Sequence, residues 1–458
     1  MYNARIMNSL KQKEPIILLL GDTIFFLLSL WLSLLLRNLA VPSRETFFIH
    51  LTPFGFLFLA WIVVFYIAGL YEKRTLILRS RLPGLLFTTQ VANSLIAVLF
   101  FYLIPIFGIA PKTLLFIYLL ISSVIMILWR AYGYFYLVTR ARDKALIIGS
   151  GKEMKELVNE VNEHPLYNLN FVSSVDLEQP ADVEKILGET LEEMKKKGVT
   201  LIVADLAHTK ADAVIPRLYS MIFDNVVFVD MHKIYEDIFK RVPLSLLKYN
   251  WFLENISAYS SFAYDALKRL MDIVASIILL IATLPFDIFA IIMIKLEDGG
   301  RAFIVQERLG KNNDIIRIYK FRTMTVNDEG KYDDEKATTN KITKIGAFLR
   351  RSRIDEFPQF FNVIKGDLSL VGPRPELPML AKLYEKEIPY YNIRHLIKPG
   401  LSGWAQIYQE NHPHHKEAIA ETEEKLAYDL YYIKNRSFLL DIKIALRTIR
   451  TLLSRAGR

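Results

Sequence analysis

Four long apolar runs occupy the first third of the chain, about Pro15–Leu36, Leu51–Tyr71, Leu85–Phe107 and Thr113–Trp129. Each is close to the ~20 residues that carry a helix across ~30 Å of hydrocarbon, so residues 1–140 are expected to form four transmembrane helices. No small-residue cleavage pattern follows the first run and three more runs do, which separates it from a signal peptide. From Lys144 the periodicity changes. Short β-branched runs (Ala145–Ile148, Phe171–Val175, Leu201–Val203, Val226–Val229) alternate with amphipathic stretches near Lys152–Asn162, Ala181–Lys197 and Asp212–Phe223. Strands alternating with helices predict a parallel, Rossmann-like α/β domain over 141–255.

The first turn of that domain reads Gly149-Ser150-Gly151, with Met154 where a third fingerprint glycine would stand and Asp176 as the candidate ribose partner. Two glycines specify a strand-to-helix turn without specifying a nucleotide, so a structural or regulatory role stays open beside dinucleotide binding.

A further apolar run, Ile273–Ile294, is long enough to span but carries Pro285 and Asp287 near its centre. Proline removes a helix hydrogen bond and disfavours helical geometry at Leu284, so a break is expected at Leu284-Pro285. A complete crossing would place the basic C-terminal half outside, against the positive-inside rule. A re-entrant helix over about 266–295 satisfies both observations; a fifth span or a buried core helix are the alternatives.

Charge supports a membrane setting. The net +9 divides into +9 over residues 1–144, −6 over 145–261 and +6 over 262–458, so the basic regions are those with long apolar runs. That favours an anionic lipid surface over nucleic acid. Basic residues flank the first four runs at Arg5, Lys11 and Lys13, at Lys73, Arg74, Arg79 and Arg81, and at Arg130, Arg140, Arg142 and Lys144, which puts both ends of that unit in the cytoplasm. The chain has no cysteine, which excludes thiol nucleophiles and thiolate metal sites. With 52% hydrophobic residues it is not a disordered chain.

Residues 262–458 concentrate the chemistry. Gln306-Glu307-Arg308-Leu309-Gly310, Lys320-Phe321-Arg322, Arg350-Arg351-Ser352-Arg353-Ile354-Asp355-Glu356, Lys365-Gly366-Asp367 and Gly372-Pro373-Arg374-Pro375 combine basic side chains, glycines and paired carboxylates. Cations neutralise phosphate oxygens, glycines admit backbone N–H groups, and carboxylates hold Mg²⁺ or attack phosphorus. Each also has a plainer reading. An Asp-Glu pair beside Arg is commonly a solvated surface, Gly-Pro-Arg-Pro a rigid turn, and Asn411-His412-Pro413-His414-His415 an exposed loop. From the residues alone the reading ends at a phosphate-handling site on a membrane surface.

At these positions the chain resembles the bacterial sugar transferase domain of the monotopic polyprenyl-phosphate hexose-1-phosphate transferases. The resemblance runs from about Tyr264 to Ser454. It is carried by Lys268-Arg269-Leu270-Met271-Asp272, Leu284-Pro285, the Gln306/Arg308/Gly310 spacing, Lys320 to Met324, Asp355-Glu356 with Pro358-Gln359, Asn362 to Pro375, and Pro399 to Gln406. Four N-terminal spans and a central α/β domain further resemble the long-form members that start exopolysaccharide or capsule synthesis.

The resemblance implies transfer of a sugar 1-phosphate from a UDP-sugar to undecaprenyl phosphate, with release of UMP and a need for Mg²⁺. It implies Asp355 as the nucleophile and metal contact and Glu356 as its partner. Lys320, Arg322 and Arg374 are expected on the diphosphate, with Arg308 and Arg351 as further candidates. Lys268, Arg269, Leu284 and Pro285 are expected to hold the re-entrant helix, and Arg353 departs from the small polar residue common there. The implied setting is the cytoplasmic face of a bacterial inner membrane, with a homodimer left open. Phe438–Leu453 fits an interfacial amphipathic helix or one packed inside the domain. A membrane-bound nucleotide-sugar dehydratase or epimerase and a non-catalytic assembly scaffold are the competing functions; the first needs a Tyr-x-x-x-Lys pair that the central domain does not show.

Overall fold

The computed structural model describes residues 13–71, 82–103, 112–133, 142–164, 167, 169–179, 196, 198–199, 201–206, 208–220, 226–256, 262–325, 341–409 and 419–453. The basic flanks Arg5, Lys11, Lys73, Arg74, Arg79, Arg81 and Arg140, most of Ala181–Lys197, and the Asn411–His415 segment lie outside these residues. The chain divides into two compact units, Met1–Met231 and His232–Arg458.

The first unit opens with four apolar helices, α1 (Lys13–Asn38), α2 (Arg44–Ile67), α3 (Leu82–Leu103) and α4 (Lys112–Leu128). The first three are long and apolar enough to cross a membrane; α4 is shorter and continues into a π-helical turn at Trp129–Gly133. This is the architecture of a membrane protein. Helix α2 starts seven residues before the expected Leu51 because Ser43 caps it, accepting from the Thr46 N–H at 3.2 Å. It ends before Tyr71 because Gly69 adopts a left-handed conformation, φ 75°. Aromatic rings of Phe26, Phe54, Phe58, Trp61 and Tyr118 fill the bundle core. The one buried ion pair described in the bundle joins Arg130 to Asp22, and Arg130 also donates to the Leu70 carbonyl at 2.6 Å.

Next come β1 (Asp143–Gly149), α5 (Gly151–Glu163), β2 (Leu169–Asp176), β3 (Leu201–Ala204), α6 (Ile215–Ser220) and β4 (Val227–Asp230), with the strands parallel in the order β2-β1-β3-β4. Gly151 has φ 81° at the first turn. Met154 is buried and Asp176 folds back to accept from the Glu178 N–H at 3.0 Å.

The α/β domain was expected to run to residue 255, and the second compact unit begins at His232. Residues 232–255, with α7 (Met231–Phe239) and α8 (Tyr249–Asn255), pack in the C-terminal unit. Val242 donates to the Ala427 carbonyl, the Trp404 indole donates to the Lys240 carbonyl, and Lys434 pairs with Glu236 at 2.9 Å. Val242 and Leu247 are buried with Tyr384, Tyr391 and Leu426, so tertiary burial rather than local pattern sets this boundary.

The second unit includes α9 (Phe262–Asp298), which continues as one helix across Leu284 and Pro285 rather than ending there. Its two ends are anchored and its middle exposes Ile278, Ile281, Leu284 and Phe286. A hairpin follows, β5 (Phe303–Leu309) with β6 (Ile315–Phe321), turned by Asn312 and Asn313 at φ 55° and 67°. Then come α10 (Lys344–Ser352), a 3₁₀ turn at Ile354–Glu356, α11 (Gln359–Lys365), β7 (Ser369–Val371), α12 (Pro378–Glu387), a 3₁₀ segment at Tyr391–Leu396, β8 (Gly400–Ser402), α13 (Trp404–Tyr408), α14 (Ile419–Lys434) and α15 (Phe438–Leu453). Strands β7 and β8 pair in parallel. A Cβ at Gly400 would lie 2.1 Å from the Gly372 nitrogen, so the two loops meet backbone to backbone.

Helix α15 packs inward with its polar side. Asp441, Ile444 and Arg447 are buried, Arg447 lies over the Tyr408 ring, and Leu439 and Ile449 face outward. Asp441 accepts from Lys268 at 3.0 Å, Tyr264 at 2.8 Å and Tyr432 at 2.7 Å, which ties α15 to the start of α9.

Candidate active site

Three short elements converge on one carboxylate pair. Helix α10 is capped by Thr343, whose hydroxyl accepts from Gly346 N–H at 2.8 Å, and ends at Arg353 in a left-handed conformation. That reversal turns the chain directly into the 3₁₀ turn carrying Asp355 and Glu356. Hairpin strand β6 supplies Lys320, and the loop after β7 supplies Arg374.

The two carboxylates sit in opposite electrostatic settings. Glu356 Oε1 accepts from Arg374 Nη2 at 3.0 Å and from Lys320 Nζ at 3.5 Å, with Arg353 Nη1 at 3.9 Å. Burial alone would raise its pKa, but the Arg374, Lys320 and Arg353 charges outweigh burial and hold the carboxyl well below its usual range. Asp355 is 9% exposed, and its Oδ1 has no hydrogen-bond partner. Burial and the neighbouring Glu356 charge push its pKa up to about 6. Lys320 is itself lowered by burial, against the pull of Glu356.

Lys320, Arg374, Asp355 and Glu356 are therefore brought together in one place. Arg308 is buried nearby, bonded to Gln306 Oε1 at 3.3 Å, and its charge acts on Lys320. Arg322 is placed differently. Its guanidinium pairs with Asp298 at the end of α9 and lies against Gly300, where a Cβ would come within 2.5 Å of Nη1. Arg351 is exposed on α10. Its neighbour Arg350 donates to Thr323 Oγ1 at 2.8 Å and its charge acts on Asp355. Spacing carries part of that signal: Arg350 stands four residues after the buried Gly346, on the same side of the helix.

Sequence reading missed a buried ion network behind Arg374. The Arg374 carbonyl accepts from Arg394 Nη2 at 3.0 Å. Arg394 also pairs with Asp429 at 2.9 Å and donates to Tyr391 OH at 2.6 Å, while Lys425 donates to Glu376 Oε2 at 2.7 Å. The Glu376 carbonyl accepts from Leu309 N–H, beside Arg308. Lys425 and Arg394 overcome burial and bring the Glu376 pKa down to about 2. Arg394, Lys425 and Asp429 belong to segments far along the chain, so no local motif announces the cluster.

The anchors of α9 reach the same structure. Arg269 donates to the carbonyls of Val363 and Ile364 at 2.6 and 2.7 Å, closing the C-terminus of α11. Asp272 accepts from Leu370 N–H at 3.0 Å, and Glu297 accepts from Lys344 N–H at 2.8 Å at the start of α10. Among the described residues, no group of three or more His, Cys, Asp or Glu forms a metal cage.

A profile described as "Bacterial sugar transferase" matches residues 263–455, the part of the chain that builds this site. An uncharacterized sugar transferase, EpsL, from Bacillus subtilis (strain 168) is 43% identical over 195 residues, 42% of this chain and 89% of that protein. The chain belongs to the bacterial sugar transferase family. The UDP-N-acetylgalactosamine-undecaprenyl-phosphate N-acetylgalactosaminephosphotransferase of Aeromonas hydrophila is 43% identical over 196 residues, 42% of this chain. That match spans 45% of the Aeromonas protein's length. An undecaprenyl-phosphate glucose phosphotransferase from Komagataeibacter xylinus is 30% identical over 332 residues, 68% of this chain and 59% of that relative. In this bacterial sugar transferase the profile match lies within the unit that holds Asp355 and Glu356.

Proposed function

We propose that the protein transfers a sugar 1-phosphate from a UDP-sugar to undecaprenyl phosphate, releasing UMP, as a membrane step that begins exopolysaccharide, capsule or O-antigen synthesis. The observation that carries this reading is the division of labour between two adjacent carboxylates. Glu356 is neutralised by Arg374 and Lys320, whereas Asp355 Oδ1 is buried and unpartnered. A desolvated carboxylate with a raised pKa is a stronger nucleophile than a solvated one, and at pH above about 6 it is ionised.

In the proposed reaction a lone pair on Asp355 Oδ1 forms a bond to the β-phosphorus. The bond from that phosphorus to the bridging oxygen breaks, and its electron pair leaves on the α-phosphate of UMP. An oxygen of the lipid phosphate then attacks the same phosphorus and regenerates the Asp355 carboxylate. Lys320, Arg374 and Arg308 draw the diphosphate in and offset its charge. The desolvated Asp355 carboxylate fits Mg²⁺ as one of the one or two carboxylates the ion commonly takes, with substrate phosphates and water completing its shell. When bound, the ion would neutralise the diphosphate.

We read α9 as a re-entrant helix bent near Leu284-Pro285, with the site on the cytoplasmic face. Ala290 and Ile294 pack with Ile354 and Phe321, while Arg269 is bonded at Val363. From Arg269 to Ile294 a straight helix would measure about 38 Å, whereas Ile354 to Val363 is about 15 Å of helical and 3₁₀ chain. A bend lets both halves reach the same small scaffold. The central parallel sheet is read as a Rossmann-like structural domain, with Met154 in the third-glycine position and Asp176 engaged in its own turn. A dehydratase or epimerase would place its chemistry on that sheet, away from the region 263–455 that matches the family.

The test is incubation of the full chain with labelled UDP-sugars, Mg²⁺ and undecaprenyl phosphate. UMP release and a labelled, acid-stable enzyme adduct that is absent from Asp355→Asn support the reading. No UMP release from any donor rules it out.

A further inference from the structure

Three residues after the catalytic pair's turn, the chain holds a second buried polar side chain without a partner. Gln359 is 5% exposed, and its Nε2 makes no hydrogen bond. Phe357 and Pro358 both keep right-handed helical backbone angles, so the run from Ile354 into α11 stays helical. Asp355 and Gln359 therefore stand about one turn apart, within reach of a common small group.

The contrast with Asn362, one turn further along α11, is informative. Asn362 is fully buried, but its Oδ1 accepts from Tyr319 N–H at 3.0 Å and its Nδ2 donates to the Arg317 carbonyl at 2.6 Å. Its amide is thus part of the scaffold. Gln359, on the same short helix, is buried with its donor unspent. Buried polar atoms are nearly always paired, so an orphaned donor one turn along from an orphaned acceptor marks a place kept for a ligand. Asp355 Oδ1 is that acceptor.

We propose that Gln359 is a further catalytic residue, whose side-chain N–H donates to a non-bridging oxygen of the phosphoryl group that Asp355 attacks. The hydrogen bond strengthens as Oδ1 bonds to phosphorus and negative charge gathers on that oxygen. No proton is transferred by the amide, and the bridging oxygen still leaves with UMP. This inference rests on the phosphotransfer reading above.

The experiment compares wild type, Gln359→Met and Gln359→Glu as full-length protein, assayed for UMP release over a panel of UDP-hexoses and UDP-N-acetylhexosamines with undecaprenyl phosphate and Mg²⁺. Methionine keeps the length and removes the donor. The expected result is a kcat lower by roughly 10²–10³-fold, with KM for the donor changed less than about threefold and the unfolding midpoint unchanged or higher, because no internal hydrogen bond is lost. Gln359→Glu, an acceptor at the same place, should be at least as impaired. A Met variant with wild-type kcat overturns the proposal, as does a loss confined to KM. A clear fall in its unfolding midpoint also overturns it, since the amide would then have a structural partner. If wild type releases no UMP from any donor, the phosphotransfer reading fails and this one with it; the preceding three outcomes remove only the role of Gln359.

Discussion

Arg374 donates to Glu356 Oε1 at 3.0 Å, while its own carbonyl accepts from the buried Arg394 at 3.0 Å. One residue thus links the carboxylate pair to an ion network behind it. Glu356 takes up the cations of the site, and Asp355 is left as the carboxylate with an open oxygen.

Asp355→Asn is expected to abolish transfer and to make the protein more stable at neutral pH. The folded-state pKa of about 6 lies above the ordinary 3.8. The unfolded chain therefore loses this proton first, and stability present below pH 4 is lost as pH rises through about 6. At pH 7 the ionised group costs at most about 3 kcal/mol. Thermal unfolding with a chelator present, run at pH 4.5 and pH 7.5, should show the Asn variant gaining over wild type mainly at pH 7.5. An equal midpoint at both pH values would contradict the burial argument.

Glu356→Gln is expected to act in the opposite sense. It strands Arg374 and Lys320, two cations whose partner is lost, and should destabilise by about 3 kcal/mol at pH 7. Because the Glu356 pKa is depressed, its stabilisation is present above the usual carboxylate range and fades as pH falls, so the deficit of the variant should shrink in acid. Denaturant midpoints across pH would show the trend, and a deficit that is flat with pH would count against the ion pairs.

Arg394→Lys should cost about 3–5 kcal/mol, because a lysine cannot bridge Asp429, Tyr391 and the Arg374 carbonyl together. Surface replacement of Arg351 by Lys should stay within about 0.5 kcal/mol. Paired unfolding curves would separate the two sites, and similar losses would mean that Arg394 is less central than its contacts indicate.

The proposed re-entrant course of α9 makes a topological prediction. Single cysteines introduced at Asp265 and Lys311, both exposed, should react with an impermeant thiol reagent from the same side of sealed vesicles. The cysteine-free chain makes the labelling unambiguous. Reaction from opposite sides would make α9 a complete span.

Much of the fold is visible in one dimension because it is periodic. The apolar runs at 15–36 and 85–107 became α1 and α3, and the β-branched runs after Lys144 became the parallel strands, since burial of a stripe or a face repeats along the chain. Boundaries were less visible. Ser43 and Gly69 moved α2 through local capping, and residues 232–255 joined the second unit through contacts with Ala427, Trp404 and Lys434.

The sequence by itself determined the apolar helices, the alternating α/β segment, and the basic motifs and Asp355-Glu356 pair gathered after residue 300. Tertiary structure alone decided which cation serves which acid. Arg322 goes to Asp298, Arg350 rather than Arg351 bonds to Thr323, and Arg394 supports Arg374 from a distant segment. Charge is written in composition, but its partner depends on direction and burial, and those exist only once the chain has closed on itself.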